Sequence, residues 1–266
     1  MAALNLDACM AKLRRADEHM DSVKRQIHAW MDRNPYRGVQ QTNPEHTRHS
    51  FVFKVIHAPD IERWSLVTGD AFHNLRCVLD HLVYAVAVNE LDPARLTDKV
   101  AKGLAFPICD GPSDFKSKYW RIEPLSQPVK ATVEALQPYN RRHPQLPPLL
   151  AILRDFDDLD KHRTLQLAMS QPVDGQFQNI SEPIPSGATW TVDFHTGEIV
   201  DGTEIVALTT DRPTPKMNYK FKARIGITVP IPKAAPDVAR SDPGGLYGIV
   251  RDEVLFVVEE VKRSIG

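Results

Sequence analysis

Two interleaved apolar repeats run through the first 34 residues. Leu6, Leu13, Met20 and Ile27 recur every seven positions, and Cys9, Ala16, Val23 and Trp30 recur in the offset register. This a/d seam specifies one long amphipathic helix, read here as Leu4 to Asn34. At 1.5 Å of rise per residue it is about 45 Å long. Such a stripe needs a partner helix of similar length, in the same chain or in a second copy. A helical bundle is therefore the expected frame. Asn34-Pro35 ends the helix, because the residue before proline is pushed out of the α region.

The next stretch reads as a polar loop to about Ser50, followed by a short β-branched and aromatic strand, FVFKVIH, from Phe51 to His57. Pro59-Asp60 opens a second long helix, Ile61 to about Glu90, with Asp60 as its N-cap. Gly69 in its middle marks a kink or the close approach of another group. LAFPI (Leu104 to Ile108) reads as extended, Leu125 to Leu136 as helix, and Leu149 to His162 as helix with Leu149, Ile152, Leu153, Phe156 and Leu159 inward. TLQLAMS, ATWTVDF, GTEIVALTT and YKFKARIGITVPIP then have strand composition, and Asp201-Gly202 suits a tight turn. From Gly248 a last helix presents Val254, Val257, Val258 and Val261 on one face. The expected fold class is α+β: a mainly α-helical bundle over 1–163, a small antiparallel β module over 164–235, and a C-terminal helix over 236–266 that packs back on the bundle.

Composition removes several functional classes. A net charge of −1 leaves no global basic excess for gripping nucleic acid, so any such contact is local, at Arg141 to His143 or Lys161 to Arg163. No apolar run reaches the roughly 20 residues that span a bilayer, so no membrane partner is expected. The N-terminus lacks the apolar core and cleavage site of a signal peptide. Cys9, Cys77 and Cys109 are few, odd in number and far apart, which reads as reduced thiols in a cytoplasmic protein. No zinc spacing, P-loop, dinucleotide fingerprint or G-x-S-x-G is present.

The second helix carries the chemistry. In GDAFHNLRCVLDHLVYAVA, Phe72, Leu75, Leu79, Leu82 and Val86 form an apolar stripe. Asp70, His73, Asn74, Cys77, Asp80, His81 and Tyr84 form a polar one, with Arg76 at its border. A solvated helix face ordinarily uses Lys and Glu, which favour helix, whereas Asp, Asn and His disfavour it. Their concentration implies specific hydrogen bonds, in a structural network or in a site. A second knot, RDFDDLDKHR, ends the Leu149 helix. There Asp160, Lys161 and His162 join the candidates if the two helices lie side by side, although the helix dipole alone also favours basic residues at that end.

These two segments resemble a pattern in uncharacterised bacterial proteins: a G-D-x-x-H-N-L-R-x-x-L-D-H-L helix followed later by D-K-H-R. Arg76 to His81 also resembles the R-x4-H signature of the HEPN superfamily, helical-bundle proteins that include dimeric, metal-independent ribonucleases of toxin and anti-phage systems. That resemblance implies Arg76 on the phosphate charge and His81 as general acid/base; the residue pattern adds Asp80 as a catalytic candidate, with Asp70, His73, Asn74, Asp160, Lys161 and His162 in support. It implies no cofactor, a homodimer, and RNA as partner. A 2′-hydroxyl attacking its own phosphate needs a proton acceptor near neutrality and a fixed cation, which His and Arg supply.

Two alternatives stand beside it. The first is a non-enzymatic homo-oligomeric protein whose cluster is a buried hydrogen-bond network. The second is a metal-dependent hydrolase using Asp70, His73 and Asp80 with Asp158 or His162. Cys77 shares the face with His73 and His81, but a helix cysteine ordinarily serves as a small packing residue.

Overall fold

The computed structural model describes residues 4–140, 147–162, 167–170, 176–178, 187–217, 220–222, 225–230 and 240–265. The helices among them are α1 (Asp7–Met31), α2 (Ile61–Glu90), α3 (Asp98–Gly103), α4 (Pro112–Lys118), α5 (Gln127–Ala135), α6 (Leu149–His162) and α7 (Pro243–Ser264). The strands are β1 (Tyr36–Thr42), β2 (Arg48–Val55), β3 (Ala168–Ser170), β4 (Gln176–Gln178), β5 (Trp190–Phe194), β6 (Glu204–Thr210), β7 (Lys220–Lys222), β8 (Gly226–Pro230) and β9 (Arg240–Ser241). The class is α+β. No helix among the described residues is long and apolar enough to cross a membrane. The chain forms two compact units. One comprises Met1–Lys24, Arg63–Leu165 and Pro230–Gly266, and the other comprises Arg25–Glu62 and Gln166–Val229.

In the first unit the α1 seam is buried inside the chain: Cys9, Leu13, Ala16, Met20 and Val23 are each at most 6% exposed. Asp17 ties α1 to α7. It accepts Tyr247 Oη at 2.7 Å and Arg251 Nε at 2.7 Å and Nη2 at 3.1 Å. Burial acts to raise the Asp17 carboxyl, but these two donors outweigh it and hold it below the ordinary range. The core forms around the apolar stripe of α2. Phe72 meets Phe156 of α6 edge-on at 4.8 Å and Tyr247 of α7 at 6.0 Å, geometry that aromatic quadrupoles favour. Val250, Val254, Val257, Val258 and Val261 of α7 are buried. On α6, Leu149, Ile152, Leu153 and Phe156 face inward as their spacing predicts, but Leu159 is 38% exposed.

Helix α7 begins five residues before the expected Gly248. Pro243 stands in its first turn and the Asp242 side chain accepts Gly245 N–H at 2.6 Å. A capped, proline-primed start overcomes the low helix propensity of Gly244 and Gly245.

The second unit holds a four-stranded antiparallel sheet in the order β1-β2-β6-β5. Its first strand lies where the sequence reads as polar loop. Tyr36 to Thr42 pairs with β2 in continuous register from Tyr36↔Val55 to Thr42↔His49. Gly38 belongs to that pairing: a Cβ there would overlap the Phe51 ring, which lies across the glycine. Strands β5 and β6 pair as expected, and Gly202, at φ +86°, occupies their connection. That connection is longer than a two-residue turn.

His49 is 1% exposed and pins this sheet. Thr214 Oγ1 donates to the His46 carbonyl at 3.1 Å and so accepts from His49 Nε2 at 2.7 Å. His49 Nδ1 then accepts from the Thr42 hydroxyl at 3.1 Å. The ring thereby joins β1, β2 and the segment around Thr214. Burial lowers the His49 imidazole below its ordinary value, so folding favours the neutral ring. Its stabilisation is complete above the unfolded value, about 6.5, and is lost as pH falls through the lower folded value. Thermal melts from pH 7 to pH 5 are expected to show a steeper loss of stability in wild type than in His49→Gln; parallel curves refute this assignment.

Candidate functional site

The polar stripe of α2 is met by α6 on one side and by α1 on the other, so the two polar segments of the sequence do come together. The strongest contact is between His73 and Asp157. His73 Nδ1 lies 2.6 Å from Asp157 Oδ1, and the two side chains are 45% and 3% exposed. A carboxylate only accepts, so Nδ1 carries the proton and Nε2 is the free ring nitrogen. That Nε2 faces Cys77 Sγ at 3.5 Å. The result is a chain of three groups in which a nearly buried carboxylate orients an imidazole and the imidazole addresses a thiol.

Helical geometry produces the second link. His73 and Cys77 are i,i+4 and stack on one face. The first link depends on the rotation of α6. Asp157 falls four residues after Leu153 and seven after Leu150, both buried, and so projects from the inner side of the helix. An acid at a position where the periodicity calls for an apolar residue was the available signal in the sequence, but four aspartates in RDFDDLD concealed it.

Of the three thiols, Cys9 and Cys109 are 0% exposed, and burial pushes both up to about 11. Cys77 is partly exposed. Burial raises its thiol too, with Asp80 and Asp157 acting in the same direction and Lys12 and Arg76 against it. The environment of Cys77 therefore favours the thiol over the thiolate.

Around this chain, Asn74 is 8% exposed; its Nδ2 donates to the Asp70 carbonyl at 2.8 Å and its Oδ1 receives Lys12 Nζ of α1 at 3.5 Å. His19 of α1 is lowered by burial first and by Arg15 second, with Asp70 acting the other way. Asp160 sits against Gly69, where a Cβ would overlap its carboxylate. The glycine in the middle of α2 thus marks a close approach. Burial raises the Asp160 carboxyl, reinforced by Asp70 and Asp157 and opposed by His73. Lys161 and His162 occupy the last turn of α6, but their side chains lie outside the described residues, as does Arg163.

Arg76, Asp80 and His81 are placed differently. Arg76 is 12% exposed at its side chain; Nη2 donates to the Phe106 carbonyl at 2.8 Å and Nη1 pairs with Asp80 Oδ1 at 3.0 Å. The Nη1 contact is an ion pair without hydrogen-bond alignment. Asp80 Oδ1 in turn accepts Phe106 N–H at 2.9 Å. Together they hold both backbone groups of Phe106 in the extended LAFPI segment. Gln137 does the same next door, donating to the Pro107 carbonyl at 2.9 Å and accepting Cys109 N–H at 3.0 Å. His81 is partly exposed, and its side chain has no hydrogen bond or ion pair with the described residues. Five residues of helix put Arg76 and His81 about 140° apart around the axis. Asp158 is exposed. No three His, Cys, Asp or Glu side chains among the described residues converge to hold a metal ion.

Comparison of the chain with protein-family models, with curated proteins and with solved structures finds no match.

The Gly69–Asp160 approach makes a defined prediction. Gly69→Ala raises helix propensity by about 1 kcal/mol, yet it forces the Asp160 carboxylate to move. The single variant is expected to melt below wild type, and Gly69→Ala in an Asp160→Ala background is expected to melt above Asp160→Ala alone. Urea titrations of the four proteins give the cycle; a stabilising single variant refutes the contact.

Proposed function

We propose that the α2–α6 face is the active centre of a thiol-dependent hydrolase or acyltransferase. Cys77 is the nucleophile, His73 the general base and then general acid, and Asp157 the carboxylate that orients His73. The observation that supports this reading is the ordered relay from Asp157 through His73 to Cys77, the partly exposed thiol among two buried ones.

The chemistry follows from the order of the relay. As Sγ bonds to a substrate carbonyl carbon, its proton passes to His73 Nε2 and the carbonyl electron pair moves to oxygen. The Asp157 carboxylate stabilises the imidazolium so formed. Collapse of the intermediate expels the leaving group, which takes the proton from Nε2, and leaves a thioester on Cys77. Water or an acceptor nucleophile, deprotonated by His73, then releases the acyl group.

The test uses p-nitrophenyl acetate with the full chain. A burst of p-nitrophenolate near one equivalent and an acetyl adduct on Cys77 are expected for wild type, with neither in Cys77→Ser. His73→Ala is expected to slow the burst by about 100-fold or more, with Asp157→Asn between them. A wild-type protein that acylates no faster than Cys77→Ser refutes the thiol reading.

The ribonuclease reading implied by the R-x4-H resemblance is the second. It is favoured by His81, partly exposed and without a hydrogen-bond partner among the described residues. Because Arg76 is engaged at Phe106 and points to another side of α2, this reading calls for a second copy of the chain, a homodimer, to complete the site. RNA cleavage in EDTA that is lost in His81→Ala and Arg76→Ala but retained in Cys77→Ser selects it over the thiol enzyme.

A further inference from the structure

A nucleophile in mid-helix has an electrostatic deficiency. The backbone N–H groups around Cys77 lie inside α2 and are directed to carbonyls one turn earlier. They are not free to form the oxyanion site that a thiol at a helix N-terminus has at hand. The positive charge that offsets the negative charge developing at this centre has to come from a side chain.

The groups facing Cys77 are few. Its own helix supplies His73, Arg76, Asp80 and, one turn on at i,i+4, His81; α6 supplies Asp157, and α1 supplies Lys12. Arg76 is occupied by Asp80 and the Phe106 carbonyl. Asp80 and Asp157 are negative and work against a thiolate. Lys12 makes no ion pair with the described residues, is partly buried, and reaches the α2 face through the Asn74 side-chain oxygen at 3.5 Å. Asn74 is itself fixed by its bond to the Asp70 carbonyl and shares a face with Cys77 at i,i+3. An ammonium has three donors, and Asn74 takes one.

The geometry points to Lys12 as the residue that stabilises negative charge at this centre, first on the Cys77 sulfur and then on the carbonyl oxygen of a bound acyl substrate, with Asn74 as the positioning residue that holds it there. This rests on the thiol reading above. It adds a third helix to the site: α1 brings the charge, α2 the nucleophile and base, and α6 the orienting carboxylate. It also narrows the substrate class to acyl compounds whose carbonyl oxygen becomes the oxyanion.

The experiment is the pH-rate profile of Cys77 alkylation by iodoacetamide, read by mass spectrometry on the full-length chain. Cys9 and Cys109, both fully buried, serve as silent internal controls. Lys12→Met is expected to move the midpoint up by about one pH unit and to slow alkylation at pH 7 by about tenfold. Lys12→Arg is expected to keep most of the wild-type profile, and Asn74→Ala to fall between them. Added salt is expected to narrow the gap between wild type and Lys12→Met, because it screens a charge effect and not a packing effect. A Lys12→Met profile that overlays wild type, while His73→Ala is displaced, overturns the Lys12 assignment and leaves the thiol reading standing. If neither variant moves the profile, both fall. A shift in Lys12→Met that Lys12→Arg fails to restore and salt leaves unchanged also overturns the assignment, since charge then plays no part.

Discussion

A carboxylate almost wholly removed from water must be met by donors, or it destabilises the fold by several kcal/mol. Asp157 is that group here, and His73 meets it across the junction of α2 and α6. The pairing sets the rotation of both helices at once. With it in place, Phe72 and Phe156 meet edge-on in the core, Asp160 comes down on Gly69, and the second ring nitrogen of His73 turns towards Cys77. The apolar stripe of α2 is buried among residues of α1, α5, α6 and α7. Hydrophobic contact is non-directional, however, and it is the polar pair that selects one arrangement of the two helices.

Arg76 and Asp80, two of the three residues that read as catalytic in the sequence, show how a polar cluster can serve architecture. Phe106 is fully buried in an extended segment that belongs to no sheet, so both its backbone groups need partners. Arg76 takes the carbonyl and Asp80 the N–H, and Gln137 repeats the device on Pro107 and Cys109. The side chains do what a neighbouring strand would do. One helix therefore carries two polar systems on different sides, one fastening a buried strand-like segment and the other facing a partly open thiol.

The sheet unit follows the same logic with fewer charges. β1 has little of the alternation that marks a strand, and Gly38 would weaken it in isolation. Its pairing with β2 and the Phe51 ring lying over the glycine make it a strand. The buried His49, with a threonine hydroxyl on each ring nitrogen, then links that edge to the segment around Thr214.

By itself the sequence determined the helices with strong 3.6-residue periodicity, namely α1, α2, α6 and the body of α7, together with the α+β class and the polar stripe of α2. Those features are local, written in spacings of three, four and seven residues. Tertiary structure decided the rest. It settled that the α1 seam is filled from within the chain, that Tyr36 to Thr42 is a strand, and that α7 starts at a capped Pro243. It also settled which of four aspartates in RDFDDLD turns inward, that Lys12 of α1 reaches the Asn74 side chain, and that Arg76 and Asp80 are spent on the backbone of Phe106. Each of these depends on a partner far away in the chain. Burial of a polar group and the identity of its partner are properties of packed helices and strands, and a linear spacing does not contain them.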